Sequence, residues 1–226
     1  MIAAVVPIKS GAQVKSRLSD ALSADERRGL AMAMAGDVLD VLAQVKALDR
    51  RLVITGDEEA GALAVATGAW VMPEPEPVGY RDAAQAAVAE LGDEGADSVL
   101  CLPADLPLLA PEDVQAVLDA LRPAPSVVLA PSRDEGGTNA IAMAPPDLLG
   151  LMFGPDSFRR HCGEAKKAGL DPTVLRRPGL ALDIDTVDDL RWLIAQGARG
   201  RTGAYLERSG IIRRIGTCGA QNRTSG

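Results

Sequence analysis

Lys9, Lys15 and Arg17 stand in the stretch VPIKSGAQVKSRLS, with no carboxylate between the first and the last of them. Such a loop either carries solvated charges or wraps a polyphosphate, its cations cancelling charge while backbone amides near Gly11 approach closely. The pattern is neither the GxxxxGK[ST] phosphate loop nor the GxGxxG dinucleotide fingerprint. Asp105, in LCLPADLPLLAPEDV, follows an apolar run and is fenced by Pro103 and Pro107. It is either a turn aspartate or a ligand for a hard cation, since Mg²⁺ asks for one or two carboxylates and completes its shell with substrate phosphates. The helix that follows already has Pro111 in its first turn and Glu112 and Asp113 matched to its dipole, so Asp105 is not needed to start it. In GLALDIDTVDDLRWL, alternation along a strand sets Asp183 and Asp185 on one side, where both can flank one cation unless they form a solvated strand end. Thr186 with Asp189 three residues on reads as a helix cap.

Two further stretches suit an anion. In LMFGPDSFRRHCGEA, Gly154, Pro155, Asp156 and Ser157 begin a helix, so free amides and the Ser157 hydroxyl face outward from its start. His161, one turn on, either donates to the same anion or packs. In APSRDEGGTNAIAM, Gly136 and Gly137 let backbone amides approach an anion and Thr138 supplies a hydroxyl, with Asn139 bracing the loop.

The 226-residue chain has a net charge of -7, unevenly spread: residues 198–226 hold six arginines against Glu207 alone, leaving an acidic body. An acidic body argues against nucleic acid as a partner and sharpens any basic cluster within it. No apolar run reaches the roughly 20 residues of a membrane span, and the opening MIAAVVPIKS lacks the basic region of a signal peptide. Three widely spaced cysteines with no CxxC fit a reducing cytoplasm better than a disulfide framework or a zinc site. A single histidine leaves little room for Ser/His or Cys/His nucleophilic schemes.

These residues need elements to position them. IAAVVP, RLVIT, AWVMP, SVLCLP, SVVLAP and NAIAMAP are apolar runs of strand length, and apolar strands on both faces imply a covered sheet. A long helix opens at Ser23 with Glu26 as a capping box and carries Leu30, Met34, Val38 and Leu42 on one stripe. Further helices are predicted over Asp57 to Thr67, Arg81 to Leu91, Pro111 to Leu121, Asp156 to Ala168 and Val187 to Gln196. This alternation predicts an α/β fold with a doubly wound, mostly parallel sheet, whose ligands lie beyond the carboxyl ends of the strands. One domain over residues 1–197 is expected, followed by a basic, weakly ordered tail over 198–226 or an interface segment of the kind a homodimer would use.

Taken in order, VPIK with KSRL, ERRGLAMAMAGDVL, LPADLPLL, PSRDEGGTNAI, FGPDSFRRH and LALDIDTVDDL resemble the phospholactate and phosphoenolpyruvate guanylyltransferases of coenzyme F420 biosynthesis, over roughly residues 2–197. The resemblance implies a nucleotide-diphospho-sugar transferase (Rossmann-like) type of fold, a nucleotidyltransferase activity and the partners GTP and a phosphorylated three-carbon acid. Phosphoenolpyruvate, 2-phospho-L-lactate and 3-phosphoglycerate are the candidate acids. It places the nucleotide at Pro7, Lys9, Lys15 and Arg17, magnesium at Asp105 with Asp185 first and Asp183 second, and the acceptor at Thr138, Gly154 and Ser157. Gly137, Asn139 and His161 stand beside that acceptor, and Lys15, Arg17 and Asp105 are the implied catalytic groups. Where family members commonly show GLN, this chain has Gly79, Tyr80 and Arg81. On the same fold, molybdenum pterin cofactor guanylyl- or cytidylyltransferases resemble LAGGxSxRMGxDK at their start, and VPIKSGAQVKSRLS lacks the paired glycines and the Met-Gly. A nucleotide-binding regulatory domain without turnover is the alternative from another class, and it has no need of the retained carboxylates.

Overall fold

The apolar runs form the strands of one sheet, and their alternate side chains feed two separate cores. A computed structural model describes residues 1–9, 14–74 and 80–216. Its strands are β1 (Ile2–Pro7), β2 (Arg50–Thr55), β3 (Trp70–Pro73), β4 (Ser98–Cys101), β5 (Ser126–Pro131), β6 (Thr138–Ala144) and β7 (Thr173–Val174). Its helices are α1 (Ala24–Gln44), α2 (Glu58–Ala66), α3 (Tyr80–Asp93), α4 (Pro111–Ala120), α5 (Ser157–Lys167), α6 (Pro178–Ala181), α7 (Val187–Ala195), α8 (Gly200–Arg208) and α9 (Ile211–Gly216). The sheet order is β3-β2-β1-β4-β6-β5-β7.

Ala4, Val6, Leu100 and Val128 pack with Val38, Leu42 and Val117 from α1 and α4. Their strand neighbours Ala3, Val5, Val99 and Leu129 pack on the other face with Ala84, Val88 and Ala165 from α3 and α5. This period-2 division explains why the strands are apolar throughout. Every strand pairing is parallel except those of β6, which runs antiparallel to both β4 and β5. A short return from β5 reverses the chain, so the amino end of β6 lies at the same edge as the carboxyl ends of its neighbours, with Thr138 opposite Pro131. Thr138 and Asn139 reach the ligand edge for that reason.

The capping box of α1 is present: Ser23 Oγ accepts the Glu26 N–H at 3.2 Å, and Glu26 Oε2 accepts the Ser23 N–H at 2.9 Å. Its apolar stripe serves two cores, because Val38 and Leu42 face the sheet while Leu30 and Met34 face a third cluster made of Leu182, Ile184, Leu190, Leu193, Leu206 and Ile211.

That third cluster differs from the expected weak order for the part of the 198–226 tail that the structure describes, residues 198–216. Where the structure describes it, to residue 216, the segment is helical, with Leu206, Ile211 and Ile215 buried. Its arginines answer the acids of α1: Arg201 meets Asp40 at 2.7 Å and Arg214 meets Glu26 at 2.7 Å. Asp37 accepts the Arg201 and Thr202 N–H groups at 2.7 and 2.9 Å, closing the start of α8 from another helix. Few apolar residues sit in this segment, and its order comes from where those few land. Burying each such aliphatic side chain is worth about 1.5–3 kcal/mol, more than the half-exposed ion pairs contribute.

A second correction concerns residues 182–185, expected as a strand. They pair with no strand and instead run as an extended segment after α6, yet burial still alternates, with Leu182 and Ile184 inside. Asp183 and Asp185 therefore share the opposite side, as the alternation required. The short β7, paired with β5, lies in a charged stretch with no strand pattern to announce it.

Candidate active site

An open cavity of about 890 Å³ lies at the carboxyl edge of the sheet. Pro7, Lys9, Lys15, Arg17, Asp105, Thr138, Asn139, Gly154, Ser157, Asp183 and Asp185 all line it. The Gly11 part of the expected phosphate loop lies outside the described residues, as does Gly79.

Lys15 is the hinge of the acidic side. It adopts left-handed backbone angles, φ 53° and ψ 42°, at the start of a 3₁₀ turn over Ser16–Leu18, with Leu18 buried in the third core. This aims its side chain across the cavity, where Nζ bonds Asp105 Oδ2 and lies 2.9 Å from Asp185 Oδ1. Burial alone would lower the Lys15 pKa, but the two carboxylates outweigh it and raise it. Asp185 moves the opposite way: burial pushes up, and the Lys15 charge, with Arg17 and Lys9 behind it, holds the carboxyl below its ordinary range. Arg17 stands 3.9 Å from Asp185 and is largely exposed. Asp183 shifts upward instead. Burial and then the charge of Asp105 raise its pKa, and its hydrogen bond from Asn139 at 3.1 Å offsets only part of that. Asp105 Oδ1 is buried without a hydrogen-bond partner, an orphan acceptor beside a lysine-bridged carboxylate pair.

The scaffold behind these carboxylates is specific. The Ile184 N–H donates to the Asp105 carbonyl at 3.3 Å, tying the two acidic segments together. Asp113 accepts the Ala110 N–H at 3.1 Å at the start of α4 and the Arg177 guanidinium at 2.9 Å, which docks α6 there. A Cβ on Gly179 would run into Asp113 Oδ2 and the Leu108 carbonyl, so only glycine lets α6 come so close. Thr186 and Asp189 form the expected capping box of α7.

Thr138, Gly154 and Ser157 line the same cavity. Gly154, at φ +104°, turns the chain into α5, whose N-cap Asp156 makes no side-chain capping bond. Ser157 is 1% exposed and its Oγ is buried without a partner. Thr138 Oγ1 lies 2.9 Å from His161 Nδ1. The neighbouring groups have partners within the fold. The Gly136 amide donates to Asp134 at 3.0 Å and the Gly137 amide to Ser132 Oγ at 2.7 Å, so both are spent inside the loop and neither is offered to an anion. Asn139 gives its amide hydrogens to the Leu180 carbonyl at 2.9 Å and to Asp183, so it braces the segment that carries the carboxylates. His161, 0% exposed, accepts the Met152 N–H on Nε2 at 3.0 Å and cannot act as a cationic anion donor. Burial, aided by the nearby charge of Arg160, lowers its pKa to about 4.

Sequence reasoning passed over Phe153 and Ser132, which also line the cavity. Phe153 is one of two phenylalanines in the chain and directly precedes the turn glycine, a signal that was available; its ring meets His161 edge-on at 6.1 Å. Among the described residues no three His, Cys, Asp or Glu side chains are drawn together as a ready metal cage. No helix in them is long and apolar enough to cross a membrane.

The fold is that of nucleotidyltransferases. A Desulfovibrio desulfuricans G20 protein named for the nucleotide-diphospho-sugar transferases superposes with a TM-score of 0.77 at 23% identity, over 95% of this chain and 97% of that one. A nucleotidyl transferase from Methanothermobacter thermautotrophicus gives 0.61 at 17% identity, over 92% and 99%. The chain belongs to the CofC-like guanylyl transferase family, whose model matches residues 2–223. It is 40% identical to a phosphoenolpyruvate guanylyltransferase of Conexibacter woesei, over 89% of this chain and 91% of the relative. It is 35% identical to a 2-phospho-L-lactate guanylyltransferase of Methanothermobacter thermautotrophicus, over 91% and 89%. It is 38% identical to a 3-phospho-D-glycerate guanylyltransferase of Phenylobacterium zucineum, over 91% and 95%. Family membership sets aside the molybdenum pterin alternative.

Proposed function

We propose that this chain transfers GMP from GTP to the phosphate of a three-carbon acid, phosphoenolpyruvate or 2-phospho-L-lactate before 3-phosphoglycerate, and releases pyrophosphate. The observation that carries the reading is that one cavity brings a charged cluster, Lys15 with Asp105 and Asp185, together with the hydroxyl-bearing residues Thr138 and Ser157. In the reaction an oxygen of the acceptor phosphate attacks the α-phosphorus of GTP, a new P–O bond forms, and the bond to the bridging oxygen of the leaving pyrophosphate breaks. A phosphate nucleophile is already ionised at neutral pH, so no general base is required, and the sole histidine is free to be buried and neutral. What remains is to align two polyanions and offset their charge.

Lys9, Lys15 and Arg17 supply that charge on the GTP side, and Pro7 ends β1 beneath them. Thr138, Ser157 and the turn at Gly154 hold the acceptor. The all-oxygen donor set and the orphaned Asp105 Oδ1 fit Mg²⁺, with Asp105 and Asp185 as ligands and Asp183 beside them. When bound, that cation would neutralise phosphate charge; Lys15, which bridges the same carboxylates, would then be released toward the phosphates.

The test is mass spectrometry of the products made from GTP with phosphoenolpyruvate, 2-phospho-L-lactate and 3-phosphoglycerate in competition. A guanylylated acid with matching pyrophosphate is expected, and absence of product from all three refutes the reading.

A further inference from the structure

His161 is the chain's sole histidine, is fully buried, and has a hydrogen-bonding partner on each ring nitrogen. The Met152 N–H can only donate, so Nε2 must be an acceptor and carry no proton. In a neutral ring the proton is then on Nδ1, which faces Thr138 Oγ1. The Ser157 carbonyl, one turn back on α5, also favours a ring N–H. Thr138 therefore cannot donate to His161: its oxygen accepts, and its own proton is left to point elsewhere. Thr138 makes no other side-chain hydrogen bond among the described residues, and it lines the same cavity as Asp105.

Resting on the guanylyl-transfer reading, we propose that His161 is a positioning residue: locked as the Nδ1–H tautomer by the Met152 amide, it donates to the Thr138 oxygen and so keeps the Thr138 hydroxyl proton available for the anionic acceptor. The reason for a neutral ring is electrostatic and geometric together. An imidazolium would set an N–H against the Met152 N–H, and the opposite tautomer would do the same while drawing the Thr138 proton away from the cavity. A hydroxyl that donated to the imidazole would have only lone pairs left for the acceptor; this one keeps its proton. The available proton thus favours an anionic oxygen at that spot.

Because the chain has one histidine, a ¹⁵N-detected ring spectrum of the full-length protein holds one pair of signals. A protonated Nδ1 and a bare Nε2 at neutral pH are expected, and a protonated Nε2 or an imidazolium overturns the proposal without any appeal to activity. Kinetics supply the second arm. His161→Leu is expected to raise the acceptor KM about tenfold, the scale of one lost buried hydrogen bond, with the GTP KM unchanged. His161→Asn, whose amide can donate from the Nδ1 position, should recover most of that loss. In a Thr138→Val background His161→Leu should add nothing further. Additive effects, or equal changes in both KM values, overturn the proposal. If no acceptor is guanylylated at all, the transfer reading fails by itself, and the spectrum still reports the tautomer.

Discussion

Lys15 and Asp185, 170 residues apart in sequence, meet with Nζ 2.9 Å from Oδ1, and the same ammonium also bonds Asp105. One lysine thus holds together the two carboxylates proposed for the cation, at the place where the cation's charge would be needed. Lys15→Met should leave those carboxylates facing one another with no counter-charge. A loss of about 1–3 kcal/mol in stability is expected, since the pair is only partly buried. Magnesium should then raise the melting temperature of the variant more than that of the parent, and equal or absent shifts in thermal melts would separate the lysine from the metal site.

Asp105→Asn keeps the shape but removes the charge beside the orphaned Oδ1. Turnover should fall by at least about a hundredfold, near 3 kcal/mol of transition-state stabilisation, with the far-ultraviolet circular dichroism unchanged. Near-parental turnover with magnesium would remove Asp105 from the metal assignment.

Ser157→Ala and Thr138→Val address the two hydroxyls proposed for the acceptor. Each should raise the acceptor KM about tenfold while leaving the GTP KM within error, as expected for hydroxyls that hydrogen-bond one substrate alone. Steady-state kinetics with each substrate varied in turn decide it, and equal effects on both would move these residues out of the acceptor pocket.

His161 sets a pH window for stability. Its pKa falls from an ordinary 6.5 to about 4 in the folded chain, so between those values the unfolded state binds the extra proton. Folding stability from this group is complete above pH 6.5 and is lost as pH falls toward about 4, by about 3 kcal/mol in all. Chemical denaturation from pH 7.5 to 4.5 should show a steeper decline in the parent than in His161→Asn; parallel curves would refute it.

Removing residues 198–226 should unfold the rest. Leu206, Ile211 and Ile215 leave with that segment, and Leu30, Met34 and Leu193 lose their cover. The cost is about 5 kcal/mol or more, comparable to the whole stability of many domains. Solubility and circular dichroism of a 1–197 chain check this, and a folded, soluble product would show that the third core is dispensable.

Helix positions were legible in the sequence because caps and apolar periodicity are local: Ser23 with Glu26, Thr186 with Asp189, and the Leu30 to Leu42 stripe each act within a few residues. The cavity-lining carboxylates and hydroxyls were legible too, because they follow apolar runs at the edge where such sheets bind ligands. What the sequence by itself determined is therefore the α/β architecture and most of the residues at the cavity. Only the tertiary structure decided what each of them does there. Hydrogen-bond partners distant in sequence assigned Lys15 to two carboxylates, spent the Gly136 and Gly137 amides inside their loop, and made Asn139 a brace. The same holds for the arginine-rich end, whose few apolar side chains gain their value from the neighbours that bury them. Local pattern fixes which groups a segment offers; the partner that accepts or covers each group is set by packing across the fold.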